Sequence, residues 1–129
     1  MITNLDHITI ILADKARSIW FYSDILKLPF INIVKMSDHE LIYFYLNAVT
    51  RLELIEYYHS EDKVKTSPLN VGSYRHMALV TDNIQLLYNV CIDNNIEVTM
   101  KPQYLELLHC IAMLITDPNG VEIEIIQKK

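Results

Sequence analysis

The chain has 129 residues, of which 51% are hydrophobic and 21% charged, so it can build a core and lacks the polar bias of a disordered segment. With 16 acidic and 11 basic residues its net charge is -5, which disfavours nucleic-acid binding because no excess of cations is available to contact phosphates. The length predicts one domain, and no apolar run reaches the roughly 20 residues that a membrane-spanning helix needs.

The first half alternates short apolar runs with polar breaks, an order that predicts a βαβββ unit. Asp14 is the expected N-cap of the helix, and Pro29 lies just beyond the predicted helix end. The apolar stripe of this helix is predicted to be Ile19, Tyr22 and Leu26. The predicted elements are a strand at 5–12, a helix at 15–26 and strands at 30–34, 40–46 and 51–58.

A polar stretch at 59–73 without periodicity is the predicted connector, and after it the same order of elements repeats. The sequence Asp-Pro-Asn-Gly at 117–120 predicts a turn, so the last two strands are expected to form a hairpin. The inward residues of the second helix are predicted to be Leu86, Leu87, Val90 and Cys91. The predicted elements are a strand at 74–81, a helix at 83–94 and strands at 97–101, 107–115 and 121–127.

A histidine and a glutamate recur at corresponding places in the two halves. His7 and Glu53 are 46 residues apart, and His76 and Glu124 are 48 residues apart. Each His opens an apolar run, and each Glu lies in the run that closes its half. Imidazole nitrogen and carboxylate oxygen together suit a borderline divalent ion such as Zn, Ni, Co, Fe or Mn. The first hypothesis is therefore a repeated module that carries metal-type ligands.

Side-chain alternation along the strands predicts which residues share a face. His7 shares its face with Thr9, while Ile10 points the other way, toward the helix. Glu122 and Glu124 share one face of the last strand, so parity leaves the choice between these two carboxylates open.

Three motifs accompany the histidines and glutamates. The first helix contains Arg-Ser-Ile-Trp-Phe-Tyr at 17–22, the second half begins with His76-x-Ala78, and the Asp-Pro-Asn-Gly turn at 117–120 leads to Glu124. With these motifs the chain resembles the vicinal-oxygen-chelate superfamily, the glyoxalase, bleomycin-resistance and dioxygenase group, over essentially its whole length.

The resemblance implies an α+β fold in which two tandem βαβββ modules form a half-open barrel. A single domain at 1–129 would comprise module 1 at 1–58, the linker at 59–73 and module 2 at 74–129. The first and last strands of each module would supply the ligands of a divalent ion, Ni, Co or Zn, or else Fe or Mn. These ligands are His7, Glu53, His76 and Glu124.

Rival residues exist for both glutamates, because carboxylates on strands are common as solvated charges. Glu56 is the rival of Glu53, and Glu122 is the rival of Glu124; the motifs favour Glu53 and Glu124. His109 falls on a predicted strand, where a position at the rim or in the core is favoured over one beside the metal.

The implied activity is that of glyoxalase I, a metal-dependent lyase or isomerase. Such an enzyme chelates a small vicinal-oxygen substrate, a hemithioacetal or 2-oxo compound, and moves a proton through an enediolate. The resemblance favours Glu124 as the catalytic base, with Glu53 a ligand that shares the role. The small-molecule substrate could be a thiol adduct.

Two positions depart from the glyoxalase I pattern. Those enzymes usually carry an Arg and an Asn that grip glutathione at the positions of Ile11 and Tyr57, and the segment 101–106 lacks the family's glycines. A different thiol adduct, a 2-oxo acid or a diketone therefore fits as well as a glutathione adduct.

Two other functional classes remain open. His7, His76 and Glu124 alone would form the two-histidine, one-carboxylate triad of a non-haem Fe(II) dioxygenase, although Glu53 as a fourth ligand leaves less room for oxygen. The other class is a bleomycin- or fosfomycin-type antibiotic-resistance protein, but pure sequestering proteins generally lack this ligand set.

The remaining expectations concern location and assembly. Cys91 and Cys110 lack a CxxC spacing and are expected to be buried, reduced thiols. The chain is expected to be cytoplasmic, since its start has no signal-peptide pattern, and to contact neither membrane nor nucleic acid. The resemblance implies a homodimer, and whether one chain or two would close the site stays open.

Overall fold

The computed structural model describes residues 1–59 and 69–129, and the chain divides into two compact units, Met1–Lys63 and Val64–Lys129. The described part of each unit contains four strands and a helix after the first of them, in the order βαβββ, which confirms the predicted α+β class and the repeat of the module. Most of the predicted linker at 59–73 falls on residues 60–68, outside the described residues.

The bounds of most elements lie within a few residues of those predicted. The first unit contains β1 (His7–Ile11), α1 (Lys15–Trp20) continued by a π-helical turn (Phe21–Ile25), β2 (Phe30–Lys35), β3 (His39–Tyr45) and β4 (Arg51–Tyr57). The second contains β5 (Met77–Val80), α2 (Ile84–Asp93), β6 (Glu97–Leu105), a 3₁₀ turn (Glu106–Leu108), β7 (Cys110–Thr116) and β8 (Glu122–Lys128). Within the described ranges, neither helix is long and apolar enough to cross a bilayer.

Each unit forms one open, mixed sheet with the same topology. The strand orders are β1-β4-β3-β2 and β5-β8-β7-β6; the first-listed pair in each order is parallel and the other pairs are antiparallel. The strand that begins each unit therefore lies beside the strand that ends it. Thr9 is paired with Glu53, and Ala78 is paired with Glu124. This topology brings residues from opposite ends of each unit together.

The first helical segment begins as predicted and then departs from a regular α-helix. The Asp14 carboxylate accepts a hydrogen bond from the Arg17 N–H at 3.1 Å, which confirms the predicted N-cap. The Leu26 N–H donates to the Phe21 carbonyl five residues back, at 3.0 Å, and such a wide turn rotates the buried face. The predicted stripe of Ile19, Tyr22 and Leu26 is therefore correct only at Tyr22. The buried residues are Ser18, Phe21, Tyr22 and Ile25.

The second helix is capped by Asn83, whose side chain accepts from the Leu86 N–H. Its buried residues are Ile84 and Cys91, whereas Leu86 is 59% exposed, so the prediction that Leu86 points inward is wrong. A helix advances about 100° per residue, and the stripe through positions 84 and 91 turns position 86 away. Cys91 and Cys110 are free and buried, as predicted, and burial raises the pKa of the Cys91 thiol to about 11.

Three boundaries in the second half differ from those predicted. The strand expected at 74–81 is β5 (Met77–Val80), so His76 directly precedes a strand and does not lie on it. The strand expected at 97–101 continues to Leu105 through Pro102, because β6 is an edge strand and tolerates a residue without an N–H. The strand expected at 107–115 begins only at Cys110, after a 3₁₀ turn that ends with His109 at φ 52°. His109 is consequently not on a strand.

The predicted turn at 117–120 connects β7 and β8 as an antiparallel hairpin. One oxygen of the Asp117 carboxylate accepts from the Asn119 N–H and the Val121 N–H, each at 2.8 Å. Gly120 has φ +83°, a conformation that costs a residue with a Cβ free energy. The turn thereby fixes which face of β8 carries Glu124.

One ion pair lies on the helix-facing side of the first sheet. Glu40 is 6% exposed, and the Lys15 ammonium donates to both of its carboxylate oxygens at 2.9 and 3.2 Å. We expect Lys15→Met to lower the free energy of unfolding by roughly 2 kcal/mol, because the buried carboxylate loses its partner; solvent near Lys15 keeps the loss below that of a fully buried pair. Chemical denaturation measures this change in the free energy of unfolding.

The matched control is Lys101→Met, which removes a charge from an exposed position on β6. Its effect should stay within about 0.5 kcal/mol. Adding Glu40→Leu to Lys15→Met should restore stability, since no unpaired charge then remains buried. Equal losses for the two lysine substitutions would show that the pair does not stabilise the unit.

Candidate metal centre

The two faces of each sheet differ in burial, and the predicted ligands lie on the face away from the helix. On β1, Ile10 is 7% exposed on the helix-facing side, whereas His7 and Thr9 lie on the other side. On β8, Ile123 is fully buried and Glu124 lies on the opposite face. The predicted alternation is therefore confirmed in both units.

In the first unit, His7 and Glu53 approach each other across the parallel pair of strands. His7 Nε2 lies 3.9 Å from Glu53 Oε1, and Glu53 is only 8% exposed. The rival Glu56 lies on the other face of β4, opposite Glu40. Of the two rival glutamates, Glu53 is thus the one that faces the histidine.

Two hydroxyl groups hold the Glu53 carboxylate. The Thr9 hydroxyl donates to Oε1 at 3.1 Å, and the Tyr43 hydroxyl donates to Oε2 at 2.5 Å. The hydrogen bond to Glu53, and secondarily burial, raise the pKa of the Tyr43 phenol above its ordinary value. A carboxylate has about four lone-pair sites, so each Glu53 oxygen can still coordinate an ion.

We expect Tyr43→Phe to lower the free energy of unfolding by about 1–2 kcal/mol near pH 7, because a buried carboxylate loses a hydroxyl donor. The folded phenol has the higher pKa, so it keeps its proton at a pH where the unfolded phenol, with a pKa near 10, has lost it. The difference from the wild type should therefore shrink as pH rises above about 10. Urea denaturation at several pH values measures it.

Tyr45→Phe is the matched control, since Tyr45 lies two residues along the same strand and is 43% exposed. It should change stability by less than about 0.5 kcal/mol at every pH. A Tyr43→Phe difference that grows in alkali would contradict the assigned direction of the shift.

His7 also has a carboxylate on the other side of its ring. His7 Nδ1 lies 2.7 Å from the Asp6 carboxylate, which also accepts from the Arg51 guanidinium at 2.7 Å. These two hydrogen bonds, His7 first, lower the pKa of Asp6. A carboxylate only accepts, so Nδ1 carries a proton, and in the neutral ring Nε2 then has the lone pair.

In the second unit, His76 and Glu124 form the corresponding pair. His76 Nε2 lies 2.8 Å from Glu124 Oε2, and Nδ1 lies 3.8 Å from the Glu122 carboxylate, which is paired with Arg75. The Nδ1 atom is buried and has no hydrogen-bond partner. Both candidate carboxylates of β8 thus flank the ring, one at each nitrogen.

The two pairs differ in how the glutamate is held. The sheet partners that correspond to Thr9 and Tyr43 are Ala78 and Leu114, which have no hydroxyl to donate. The side chain of Glu124 is 20% exposed, against 10% for Glu53. Glu124 therefore has more freedom to move than Glu53.

The four predicted ligands occur as two pairs, one in each unit. In the described part of the chain, no group of three or more His, Cys, Asp or Glu side chains is placed to hold a metal ion. Each pair nevertheless offers one imidazole nitrogen and one carboxylate, a combination typical of Zn, Ni, Co, Fe and Mn sites. A metal on His76 Nε2 would also move the ring proton to the buried, unpartnered Nδ1. The donor set therefore fits a divalent ion.

An open cavity of about 510 Å³ lies on the second unit, and Glu124 forms part of its wall. Ile126 and Lys128 continue the wall along β8, and His109 lines the same cavity. His109 is exposed and directly precedes β7, so the prediction that it lies on a strand is wrong.

Sequence reasoning did not find the groups that surround the predicted ligands. The contacts of Tyr43, Thr9, Asp6 and the arginines were not predicted. Parity would have placed Thr9 and Tyr43 on the ligand face. The acid directly before His7 was a further visible signal.

The chain matches the sequence model of a family described as the Glyoxalase/Bleomycin resistance protein/Dioxygenase superfamily over residues 4–125. No curated protein sequence matches the chain.

Several solved structures have a similar fold. A glyoxylase/bleomycin resistance protein/dioxygenase domain from Frankia sp. is 12% identical, with a TM-score of 0.82 and 100% of both chains covered. The trypanothione-dependent glyoxalase I of Leishmania major is 18% identical, with a TM-score of 0.77 over 98% of this chain and 87% of that chain. An antibiotic-binding protein from a Streptomyces species is 14% identical, with a TM-score of 0.74 over 99% and 98%.

Proposed function

Because this chain belongs to the glyoxalase/bleomycin resistance protein/dioxygenase superfamily, we propose that it is a metal-dependent lyase or isomerase of the glyoxalase I type. The observation that carries this proposal is the repeated pairing of a histidine with a glutamate across the parallel strands of each unit, His7 with Glu53 and His76 with Glu124. In the proposal these four side chains hold one divalent ion, Ni, Co or Zn, or else Fe or Mn.

The bound ion would hold the two vicinal oxygens of a hemithioacetal or 2-oxo compound and stabilise the negative charge that develops on them. The protein's own contribution is to position the acid–base group. A general base must reach the carbon-bound proton and then return it to the neighbouring carbon, so it needs a carboxylate that is free to shift.

The different surroundings of the two glutamates favour Glu124 as this base. Glu53 is held by the Thr9 and Tyr43 hydroxyls, which suits a fixed ligand, whereas Glu124 contacts His76 and faces Ala78 and Leu114. Glu124 also lines the cavity of the second unit, where a substrate would lie beside it. Glu53 would share the proton transfer only if it released a hydroxyl.

The proposed substrate is a small vicinal-oxygen compound, either a thiol adduct other than that of glutathione or a bare 2-oxo compound. Ile11 and Tyr57, at the positions associated with glutathione binding, are 61% and 39% exposed and provide no cation or amide. The trypanothione dependence of the Leishmania enzyme is an example of a different thiol served by this fold.

Metal analysis and turnover test the proposal together. Purified protein should contain one divalent ion per His-Glu-His-Glu set, and a chelator should abolish the conversion of hemithioacetals made from methylglyoxal and a panel of thiols. Adding back Ni, Co or Zn should restore it. Unchanged turnover after complete metal removal would refute the proposal.

Two outcomes would assign the chain to another branch of the superfamily. Oxygen consumption with Fe(II) and a catechol would indicate a dioxygenase. Absence of metal binding in equilibrium dialysis, together with tight binding of a bleomycin- or fosfomycin-type drug, would indicate a resistance protein; an antibiotic-binding protein is among the similar structures.

The proposal also includes the assembly and location of the protein, a homodimer in the cytoplasm. The two buried free thiols suit a reducing compartment. Analytical ultracentrifugation at micromolar concentration should give twice the chain mass, whereas a monomer with full metal content would show that one chain suffices.

A further inference from the structure

Each candidate ligand histidine has a second carboxylate on its Nδ1 side, and an arginine pairs with that carboxylate. In the first unit, Asp6 contacts His7 Nδ1 at 2.7 Å and accepts from Arg51 at 2.7 Å. In the second unit, the Glu122 carboxylate lies 3.8 Å from the His76 Nδ1 atom, and it is paired with Arg75.

The acid and the base have exchanged positions between the units. The residue directly before the histidine is an acid in the first unit, Asp6, and a base in the second, Arg75. The residue two positions before the glutamate is a base in the first unit, Arg51, which is opposite His7 in the parallel register, and an acid in the second, Glu122. What the units share is therefore a carboxylate facing Nδ1, built from different backbone positions.

We propose that Asp6 and Glu122 are positioning residues, which accept a hydrogen bond from the Nδ1–H of His7 and His76 so that each Nε2 presents its lone pair to the metal. This inference rests on the proposed metal site. Arg51 and Arg75 hold the two carboxylates against the rings. Such partners of ligand histidines select the tautomer and the ring orientation.

The two histidines differ in which ring nitrogen has a hydrogen-bond partner. The His7 ring already donates from Nδ1 to Asp6, so in its neutral form Nε2 has no proton. The His76 ring instead contacts Glu124 through Nε2, while its buried Nδ1 lacks a partner. When a metal takes Nε2, the proton belongs on Nδ1, and a shift of about 1 Å brings Glu122 within hydrogen-bond distance. The second histidine is thus expected to change tautomer on metal binding.

Nitrogen NMR of ¹⁵N-histidine-labelled protein tests this directly, without any substitution. In metal-free protein, His7 should be the Nδ1–H tautomer and His76 predominantly the Nε2–H tautomer. On titration with Zn, His76 should convert to Nδ1–H and His7 should keep its proton. An Nε2–H tautomer at His7, or no proton on Nδ1 of His76 after zinc binding, would overturn the proposal.

Asp6→Asn and Glu122→Gln test the consequence for affinity. An amide can accept from an Nδ1–H or donate to a bare Nδ1, so it no longer selects a tautomer. Each substitution should weaken Zn binding by roughly 10- to 100-fold in competition titrations. Asp24→Asn and Glu97→Gln remove the same charge from exposed positions and should leave affinity within about 2-fold. Equal effects of all four would overturn the proposal.

The exchanged charges allow a rescue experiment. Asp6→Arg combined with Arg51→Glu gives the first unit the arrangement of the second, with the acid opposite the histidine. Either substitution alone should weaken Zn binding at least 10-fold, and the double variant should recover most of that loss. If the double variant binds Zn no more tightly than the single variant with the lower affinity, the model of a carboxylate facing Nδ1 is contradicted.

Failure of this inference can be distinguished from failure of the proposed function. If wild-type protein binds no metal, the proposed function fails, whatever the tautomers are. If it binds metal with unchanged tautomers, and Asp6→Asn and Glu122→Gln bind as tightly as the wild type, the ligand assignment stands and the positioning role is refuted.

Discussion

Glu124→Gln is expected to lower kcat on the hemithioacetal that the wild type converts best by about 10²- to 10⁴-fold. The amide oxygen can still approach a metal, but it cannot take up a proton at neutral pH, so the loss falls on the chemical step. Such a factor corresponds to roughly 3–5 kcal/mol of activation free energy. Initial rates at saturating substrate and saturating metal measure it, and metal affinity should fall far less than kcat.

Glu56→Gln is the matched control, since Glu56 lies on β4 but on the face opposite Glu53. It should keep kcat within about 2-fold of the wild type, because its side chain faces away from the ligand side of the sheet. If Glu124→Gln instead lost metal and activity in parallel, Glu124 would be a ligand only, and the base would have to be another group.

His76→Ala is expected to weaken Zn or Co binding by roughly 10²- to 10³-fold. A four-ligand protein site binds Zn with about 10–16 kcal/mol, so one ligand accounts for about 3–4 kcal/mol, and each 1.4 kcal/mol is tenfold in Kd. Competition titration measures the affinity, and the visible spectrum of bound Co reports the loss of one ligand. Turnover should fall with metal occupancy.

His39→Ala is the control for this substitution. His39 is also a half-buried histidine beside a carboxylate, since its Nδ1 lies 2.5 Å from Asp38, but it lies on β3 and is not among the predicted ligands. Its removal should leave Zn affinity within about 2-fold. Equal losses for His39→Ala and His76→Ala would remove His76 from the ligand set.

Local rules were sufficient for the cap of the first helix and for the hairpin. Asp14 and the turn at 117–120 act through hydrogen bonds within a few residues, so their chemistry is readable from the chain itself. The same rules failed where the position of a strand in the sheet determines its length. The strand predicted at 97–101 extends through Pro102 to Leu105, because β6 is an edge strand and one of its sides has no partner that needs an N–H.

The buried faces of the helices could be predicted only in part. Periodicity assumes a regular turn, and the wide turn at Phe21–Ile25 shifts the stripe so that Phe21 and Ile25 are buried. Likewise, the side of the second helix that meets the sheet excludes Leu86, although its spacing and hydrophobicity favoured burial. Hydrophobicity favours burial of the apolar side chains of a helix, but the sheet that packs against the helix determines which of them are buried.

The sequence by itself determined the repeated βαβββ unit, the family, and the face of the sheet on which His7 lies, because the motifs and the alternation of side chains along a strand can be read from the chain. Only the tertiary structure decided which carboxylates stand beside each ring. The motifs favoured Glu53 and Glu124, but they did not show that Glu122 lies on the Nδ1 side of His76 while Glu124 lies at Nε2. Hydrogen-bond partners distant along the chain depend on the register of paired strands, and that register exists only once the sheet has formed.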